Sequence, residues 1–168
     1  METWADFAAA EPPLASAIRT LVCQYGPGLG YLATVRPDGG PRIHPVSPVI
    51  TDEGLFCFML ASPKRHDLDR DGRYSLHSFP ATDSDDEAYL CGRATPVTDP
   101  QVISRLATTM RAAAGIDWKL YELTVDVAML VQHDTPTTST RTVWKDRPDR
   151  VPRAKQNGPC AAAVDSVQ

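Results

Sequence analysis

The sequence predicts a mainly β protein with a few helices, in which about six to seven antiparallel strands form a barrel or a sandwich. Short apolar runs follow one another between turns rich in glycine, proline and aspartate, as in hairpin-connected sheets. Residues 121–131 alternate apolar and polar side chains, which is the period of a strand with one solvated face. The helical patterns are too few, and in the wrong places, for alternating strands and helices of a parallel sheet.

Composition places the chain among ordinary globular proteins. Its 168 residues are 42% hydrophobic and carry a net charge of −4, which gives no indication of a nucleic-acid or membrane partner. The four cysteines form no CxxC pair, and no secretory signal or apolar run of roughly 20 residues occurs, so we expect a cytoplasmic protein with free thiols. We divide it into a domain over residues 1–145 and a flexible tail over residues 146–168, where apolar periodicity stops.

The N-terminal region begins with residues 1–10, which we expect to be loose. A helix starts at Pro12 and Pro13 and ends at residues 26–28, which read Gly-Pro-Gly. Its apolar face has the helical spacing of Leu14, Ile18, Leu21 and Val22.

A hairpin follows, with strands at residues 30–36 and 42–50 around a Pro-Asp-Gly-Gly turn. Pro45 and Pro48 cannot donate ladder hydrogen bonds, so the second strand lies at an edge, contains a bulge, or faces a ligand instead of a partner. Residues 55–60 are apolar on both faces and predict a central buried strand.

The exit from that strand has the pattern of an anion site. Ser62 is a good N-cap whose hydroxyl can accept from free backbone N–H groups, and Pro63 suits the first helical position. Lys64 and Arg65 place positive charge where the helix dipole favours an anion, so a phosphate would fit between them. The same turn is also common on solvated helix starts that bind nothing, and the residues alone leave both interpretations open.

The remaining segments complete the strand count. We predict strands at residues 73–78, 88–94 and 121–131, and a last one at 137–145 that carries Trp144. Residues 80–87 form an acidic, solvated loop. Gly92 indicates a bulge or the close approach of another backbone. A second helix begins near residues 98–100 and stops at Gly115, with an apolar face of Val102, Ile103, Leu106 and Met110.

Four pieces in this order resemble the FMN-binding split β-barrel family of pyridoxamine 5′-phosphate oxidase and its relatives. They are ATVRPDGGPRIHPV (33–46), LFCFML (55–60), SPKRHDLDRDGRYSLH (62–77) and YLCGRATPVTD (89–99), together about half of the chain. The resemblance implies a split barrel that forms a homodimer and holds a flavin in a groove between protomers.

Carried over by position, the resemblance gives each candidate residue a role. Arg42 and Lys64, helped by Ser62, would hold the flavin phosphate. Ile43, His44, Pro45 and Val46 would lie along the ring, Cys57 and Phe58 would line the opposite wall, and Trp144 would reach the ring of the partner. The implied cofactor is FMN or the deazaflavin coenzyme F-420, and the implied activity is an oxidoreductase acting on a small organic substrate.

The sequence also departs from that of the oxidase in two places. Residues 144–168 do not match its substrate segment, and His44 and Pro45 stand where it has aliphatic residues, so this chain is not expected to be the vitamin B6 enzyme. The scattered histidines give no metal-ligand spacing, and His44 is the candidate catalytic residue beside the ring. Three alternatives stay open: a haem-binding split barrel, a non-catalytic flavin-binding module, and a dimeric barrel without a cofactor.

Overall fold

A computed structural model describes residues 1–109, 115–135 and 137–146, and the backbone of 165–167. Most of the predicted tail, residues 146–168, therefore lies outside the described residues. The described helices are α1 (Trp4–Ala10), α2 (Pro12–Val22), α3 (Pro63–Arg70) and α4 (Pro100–Thr109). The described strands are β1 (Gly30–Val35), β2 (Pro41–Val46), β3 (Pro48–Ile50), β4 (Leu55–Leu60), β5 (Arg73–Ser78), β6 (Glu87–Pro96), β7 (Trp118–Leu123), β8 (Val127–Thr135), β9 (Thr138–Lys145) and β10 (Asp165–Val167).

The strands form one curled antiparallel sheet. Its main path runs β10-β9-β8-β6-β5-β1-β2, and β3, β4 and β7 continue it from the far end of β6. The sheet can turn there because β6 is long: its first half pairs with β5 and β8, whereas Ala94 near its end pairs with Leu123 of β7. The result is a half-barrel, which confirms the predicted mainly β, split-barrel fold class.

The predicted strand over residues 42–50 is two strands. Among the described strands, β2 pairs only with β1 and ends the main sheet path, whereas β3 pairs with β4. Pro45 of β2 lies opposite Tyr31 of β1, and β2 is the last strand of the path, so the expectation of an edge at this proline is confirmed. The predicted central strand is also confirmed, because β4 is flanked by β3 and β7 and is buried along most of its length.

The predicted strand over residues 121–131 is also interrupted, between β7 and β8. The carbonyl oxygen of Thr124 lies so close to Gly92 that a Cβ there would be 2.0 Å from it. Gly92 therefore marks the close approach of another backbone, as its position within a strand indicates. The same carbonyl accepts a hydrogen bond from the Tyr74 hydroxyl at 2.9 Å, which fixes the crossing.

The expectation that residues 1–10 are loose is wrong. Thr3 and Asp6 form a capping box in which each side chain bonds the other's backbone N–H, so helix α1 begins at Trp4. Trp4 and Phe7 are buried, and the Phe7 ring packs on Trp144 with their centroids 4.9 Å apart. The helix has seven residues, too short to show helical periodicity in the sequence.

The core fills the concave side of the half-barrel, under α1 and α2. It joins apolar side chains of both helices to the inward-facing residues of the strands, and a smaller cluster under α4 contains Val49, Phe56, Leu106 and Leu120. Among the described helices, none is long and apolar enough to cross a lipid bilayer. The fold thus leaves β2 at one end of the main sheet path, and α3 begins just after the central strand β4.

Candidate functional site

A buried carboxylate joins helix α3 to the edge of the sheet. Asp67 is 2% exposed, and its Oδ2 accepts hydrogen bonds from Arg42 Nε of β2 at 2.6 Å and from Thr34 Oγ1 of β1 at 3.0 Å. Arg70 Nη1 lies 3.5 Å from its Oδ1. Burial alone would raise the pKa of Asp67, but the bonds from Arg42 and Thr34 outweigh it and hold the pKa below its usual value.

Arg42 contacts Asp67 through one side-chain nitrogen, Nε. The bond from Nε is its one hydrogen bond within the described ranges, so Nη1 and Nη2 have no acceptor there. The side chain is 28% exposed, so it is not fully enclosed by the described residues.

Lys64 lies on the same face of α3 as Asp67, because residues three apart in a helix are neighbours. Its side chain is half-buried and has no ion pair among the described residues. Arg42 thus contacts Asp67, and Lys64 lies one turn before Asp67 on the same helix.

Helix α3 is fixed from its other side as well. Asp69 accepts hydrogen bonds from the Tyr121 hydroxyl at 2.6 Å and from Lys119 Nζ at 2.5 Å, both on β7. Burial and the nearby Asp69 charge raise the pKa of Tyr121 well above its usual range, so it remains a donor. A helix held between two strands keeps Lys64 in a defined position.

The start of α3 differs in one detail from the sequence prediction. Ser62 is the N-cap residue, but its hydroxyl donates to the Leu60 carbonyl at 2.9 Å and accepts no bond from the helix. The predicted side-chain cap is therefore wrong. Arg65 and His66 donate their N–H groups to the Ser62 carbonyl instead, and the Lys64 N–H has no described acceptor.

The candidate ring contacts on β2 point to two sides of the strand. Arg42, His44 and Val46 alternate with Ile43 and Pro45, as successive side chains of a strand must. Ile43 is 63% exposed, whereas Val46 is 8% exposed and packs in the core. A ring lying along β2 would meet side chains of one set and only the backbone of the other.

The β4 candidates are also divided between two faces. Cys57 is fully buried in the main core, and Phe58 is half-buried beside the smaller cluster, with its ring edge-on to Trp118. Burial raises the pKa of the Cys57 thiol to about 12, and the positive charge of Lys64 lowers it only in part.

Trp144 is not brought together with these residues. It lies on the inner face of β9, is 7% exposed, and packs against Phe7 of its own chain. Its indole therefore offers no open surface for a ligand, and we leave it out of the proposed site.

Sequence reasoning missed Asp67 and Thr34, the residues that orient Arg42. The spacing of Asp67, three residues after Lys64, places it on the right face of a helix, but nothing in the sequence joins it to residues 34 and 42. The structure alone supplies those contacts.

The convex face of the sheet carries a row of exposed and half-exposed side chains. Neighbouring strands place them side by side across the sheet, and we call this row, together with Ile43, the outer apolar face: Pro45, Tyr31, His77, Tyr89, Met129 and Val143. Within it, His77 Nε2 contacts Glu87 at 3.1 Å and Nδ1 lies 2.8 Å from the Ser78 carbonyl. Exposed apolar surface that is bordered by polar residues often marks an interaction site.

We expect Cys57 to be inert toward thiol reagents in the folded protein, because a pKa of about 12 leaves a thiolate fraction on the order of 10⁻⁴ at pH 8. The Cys57→Ala variant should have as many reactive thiols as the wild type under native conditions. After denaturation it should have one fewer. Loss of a reactive thiol in the native titration would contradict the buried position of Cys57.

Comparison with known proteins places this architecture in a family. A family model described as pyridoxamine 5′-phosphate oxidase matches residues 16–152. No curated protein sequence matches the chain at a significant level.

Solved structures that share the fold include the following three. A pyridoxamine 5′-phosphate oxidase-related, FMN-binding protein from Nostoc punctiforme aligns with a TM-score of 0.62 and 12% identity, over 95% of each chain. PhzG from Burkholderia lata, in complex with tetrahydrophenazine-1-carboxylic acid, aligns with a TM-score of 0.61 and 14% identity, over 97% of this chain and 92% of the PhzG chain. A heme binding protein from Mycobacterium smegmatis aligns with a TM-score of 0.57 and 16% identity. The alignment covers 77% of this chain but only 57% of the length of the heme binding protein.

Proposed function

Because the chain belongs to the pyridoxamine 5′-phosphate oxidase family, we propose that it binds FMN through Arg42 and Lys64 and acts as a flavin-dependent oxidoreductase on a small organic substrate. The observation that carries this proposal is the guanidinium of Arg42, which is anchored through Nε while its terminal nitrogens have no described acceptor. The resemblance between the FMN-binding protein of Nostoc punctiforme and this chain extends over the whole domain and supports the choice of cofactor.

The residues at this edge fit a phosphate monoester. Arg42 offers terminal N–H donors in a planar fork, and the Lys64 backbone N–H lies at a helix start. Lys64 also offers a charge that pairs with no carboxylate in the part of the chain that the structure describes. A dianionic phosphate would neutralise both cations and satisfy donors that otherwise depend on solvent. Ser62 would join them only by releasing the Leu60 carbonyl, so its contribution is the smallest of the predicted set.

FMN, when bound, supplies the hydride chemistry, and the protein supplies binding, orientation and electrostatics. His44 shares a face of β2 with Arg42 and is half-buried, so we propose that it provides a proton or a hydrogen bond near the ring. A cation placed there would stabilise negative charge that develops on the reduced cofactor.

We prefer FMN to coenzyme F-420 because the surrounding arginines already have partners. Arg65 pairs with Asp117, Arg70 bonds the Val35 carbonyl and lies near Asp67, and Arg73 pairs with Asp71. An anionic cofactor tail would have to compete with these contacts. Haem is the second candidate cofactor, since a heme binding protein shares the fold, and His44 would be its candidate ligand.

We also propose that the protein is a homodimer that pairs through the outer apolar face. Ile43 is 63% exposed there, and its neighbours Pro45 and Tyr31 extend the apolar surface across two strands. A second copy would remove this surface from water and bring another protomer to the edge formed by β2.

The cofactor site is tested by titrating the purified protein with FMN, F-420 and haem, following flavin fluorescence and the Soret band. Arg42→Ala and Lys64→Ala should each weaken FMN binding by about tenfold to a hundredfold, since a hydrogen bond to a charged group contributes about 1.5–3 kcal/mol. Arg105→Ala, which removes a surface cation paired with Glu53, is the control and should leave the Kd unchanged. Equal FMN binding by all variants, or binding of haem alone, would contradict the proposal.

The dimer is tested by placing a charge on the outer apolar face. Ile43→Glu should convert the protein from dimer to monomer at micromolar concentration, because an interface does not readily bury an unpaired carboxylate. Ile116→Glu is the matched control, since Ile116 is also exposed, at 44%, but precedes β7. Sedimentation velocity measures both. A wild-type monomer, or a dimer that tolerates glutamate at position 43, would refute this arrangement.

A further inference from the structure

We propose that Asp67 is a positioning residue for the phosphate-binding site, which holds the Arg42 guanidinium so that its two terminal nitrogens face the ligand. This inference rests on the proposed function, since it assigns a role within the same site. Asp67 itself would not touch the ligand, because its described contacts are with the side chains of Thr34, Arg42 and Arg70.

The choice of nitrogen carries the inference. Arginine–carboxylate pairs are frequently bidentate, with two parallel N–H groups donating to the carboxylate. Here a single oxygen, Asp67 Oδ2, accepts from Nε at 2.6 Å, and the terminal nitrogens are left without a described partner. Contact through Nε orients the guanidinium plane while it keeps the terminal donors for an external acceptor.

Asp67 is itself held in place by its surroundings. The Thr34 hydroxyl donates to the same Oδ2 at 3.0 Å, and the carboxylate is almost completely excluded from solvent at 2% exposure. An almost buried carboxylate that accepts from two elements of the sheet has little freedom to rotate. Its position therefore fixes that of Arg42 relative to Lys64, which lies one turn earlier on the same helix.

Because Asp67 is negatively charged, its substitution distinguishes electrostatic repulsion of the phosphate from positioning of Arg42. A carboxylate near a phosphate site lowers the attraction for an anion, so removing it would strengthen phosphate binding if long-range charge alone mattered. A positioning role predicts the opposite result, because a disordered guanidinium loses its preorganised hydrogen bonds. Substitution of Asp67 thus separates the two effects by the sign of the change.

The experiment is a double-mutant cycle measured with FMN and with riboflavin, which has the same ring without the phosphate. Asp67→Asn should weaken FMN binding by about tenfold and change riboflavin binding by less than about twofold. In the Arg42→Ala background, Asp67→Asn should have little further effect, because the two residues act as a unit. Asp71→Asn is the control, since it removes an exposed aspartate–arginine pair just after α3.

Unchanged or tighter FMN binding by Asp67→Asn would overturn the positioning role. Equal losses of affinity for FMN and for riboflavin would overturn it too. So would a full additional loss of FMN affinity when Asp67→Asn is added to Arg42→Ala. If Arg42→Ala itself leaves the ratio of FMN to riboflavin affinity unchanged, the proposed phosphate site fails together with this inference. That outcome is distinct from a failure of Asp67 alone.

A milder variant covers the case in which Asp67→Asn does not fold. Thr34→Val keeps the size of the side chain and the charge of Asp67 but removes the hydroxyl that holds Oδ2. It should lower FMN affinity by about threefold with riboflavin affinity retained. Equal affinity for FMN in folded Thr34→Val and wild-type protein would count against the positioning role.

Discussion

The structure around the proposed site depends on one ion pair, the contact between Asp67 and Arg42 at 2.6 Å. It links helix α3 to the last strand of the main sheet path, and Thr34 extends the link to β1. Without a compensating cation, a carboxylate as buried as Asp67 would be strongly disfavoured in its charged form. The pair therefore orients the arginine and, together with the contacts of Asp69 to β7, holds the helix in position.

The edge position of β2 leaves the residues around the Asp67–Arg42 contact accessible to a ligand. A strand with one neighbour leaves backbone and side chains accessible, and the proline at position 45 prevents another strand from completing the ladder there. The two faces of β2 then serve two purposes. Arg42 and His44 lie on the side of the proposed cofactor site, and Ile43 and Pro45 belong to the outer apolar face.

Much of the fold can be predicted from the sequence, because the turns and apolar runs that define the strands are local. The split between β7 and β8 cannot, since the alternation of residues 121–131 continues through the break at Thr124, where another backbone crosses at Gly92. Helix α1 is missed because its signal is a capping box and not a periodic pattern.

The candidate site shows the same division between local and distant information. The start of α3 is readable from Ser62, Pro63 and Lys64, and the edge at β2 from its prolines. The Ser62 hydroxyl turns to Leu60 instead of the helix, and Trp144 turns into the core, because tertiary contacts decide between side-chain orientations that the sequence leaves equivalent. Asp67 reaches residues 34 and 42 across the fold, which local patterns cannot reveal.

The central claim is that two cations and a helix start hold a dianionic phosphate, and phosphorus-31 NMR of bound FMN tests it most directly. Free FMN changes its phosphate resonance as it loses its second proton at a pKa of about 6. In the complex, Arg42 and Lys64 should hold the phosphate as a dianion, so the resonance should stay nearly constant between about pH 5 and pH 8. A bound resonance that titrates as in free FMN would contradict the account, because the phosphate would then lie in solvent, away from both cations.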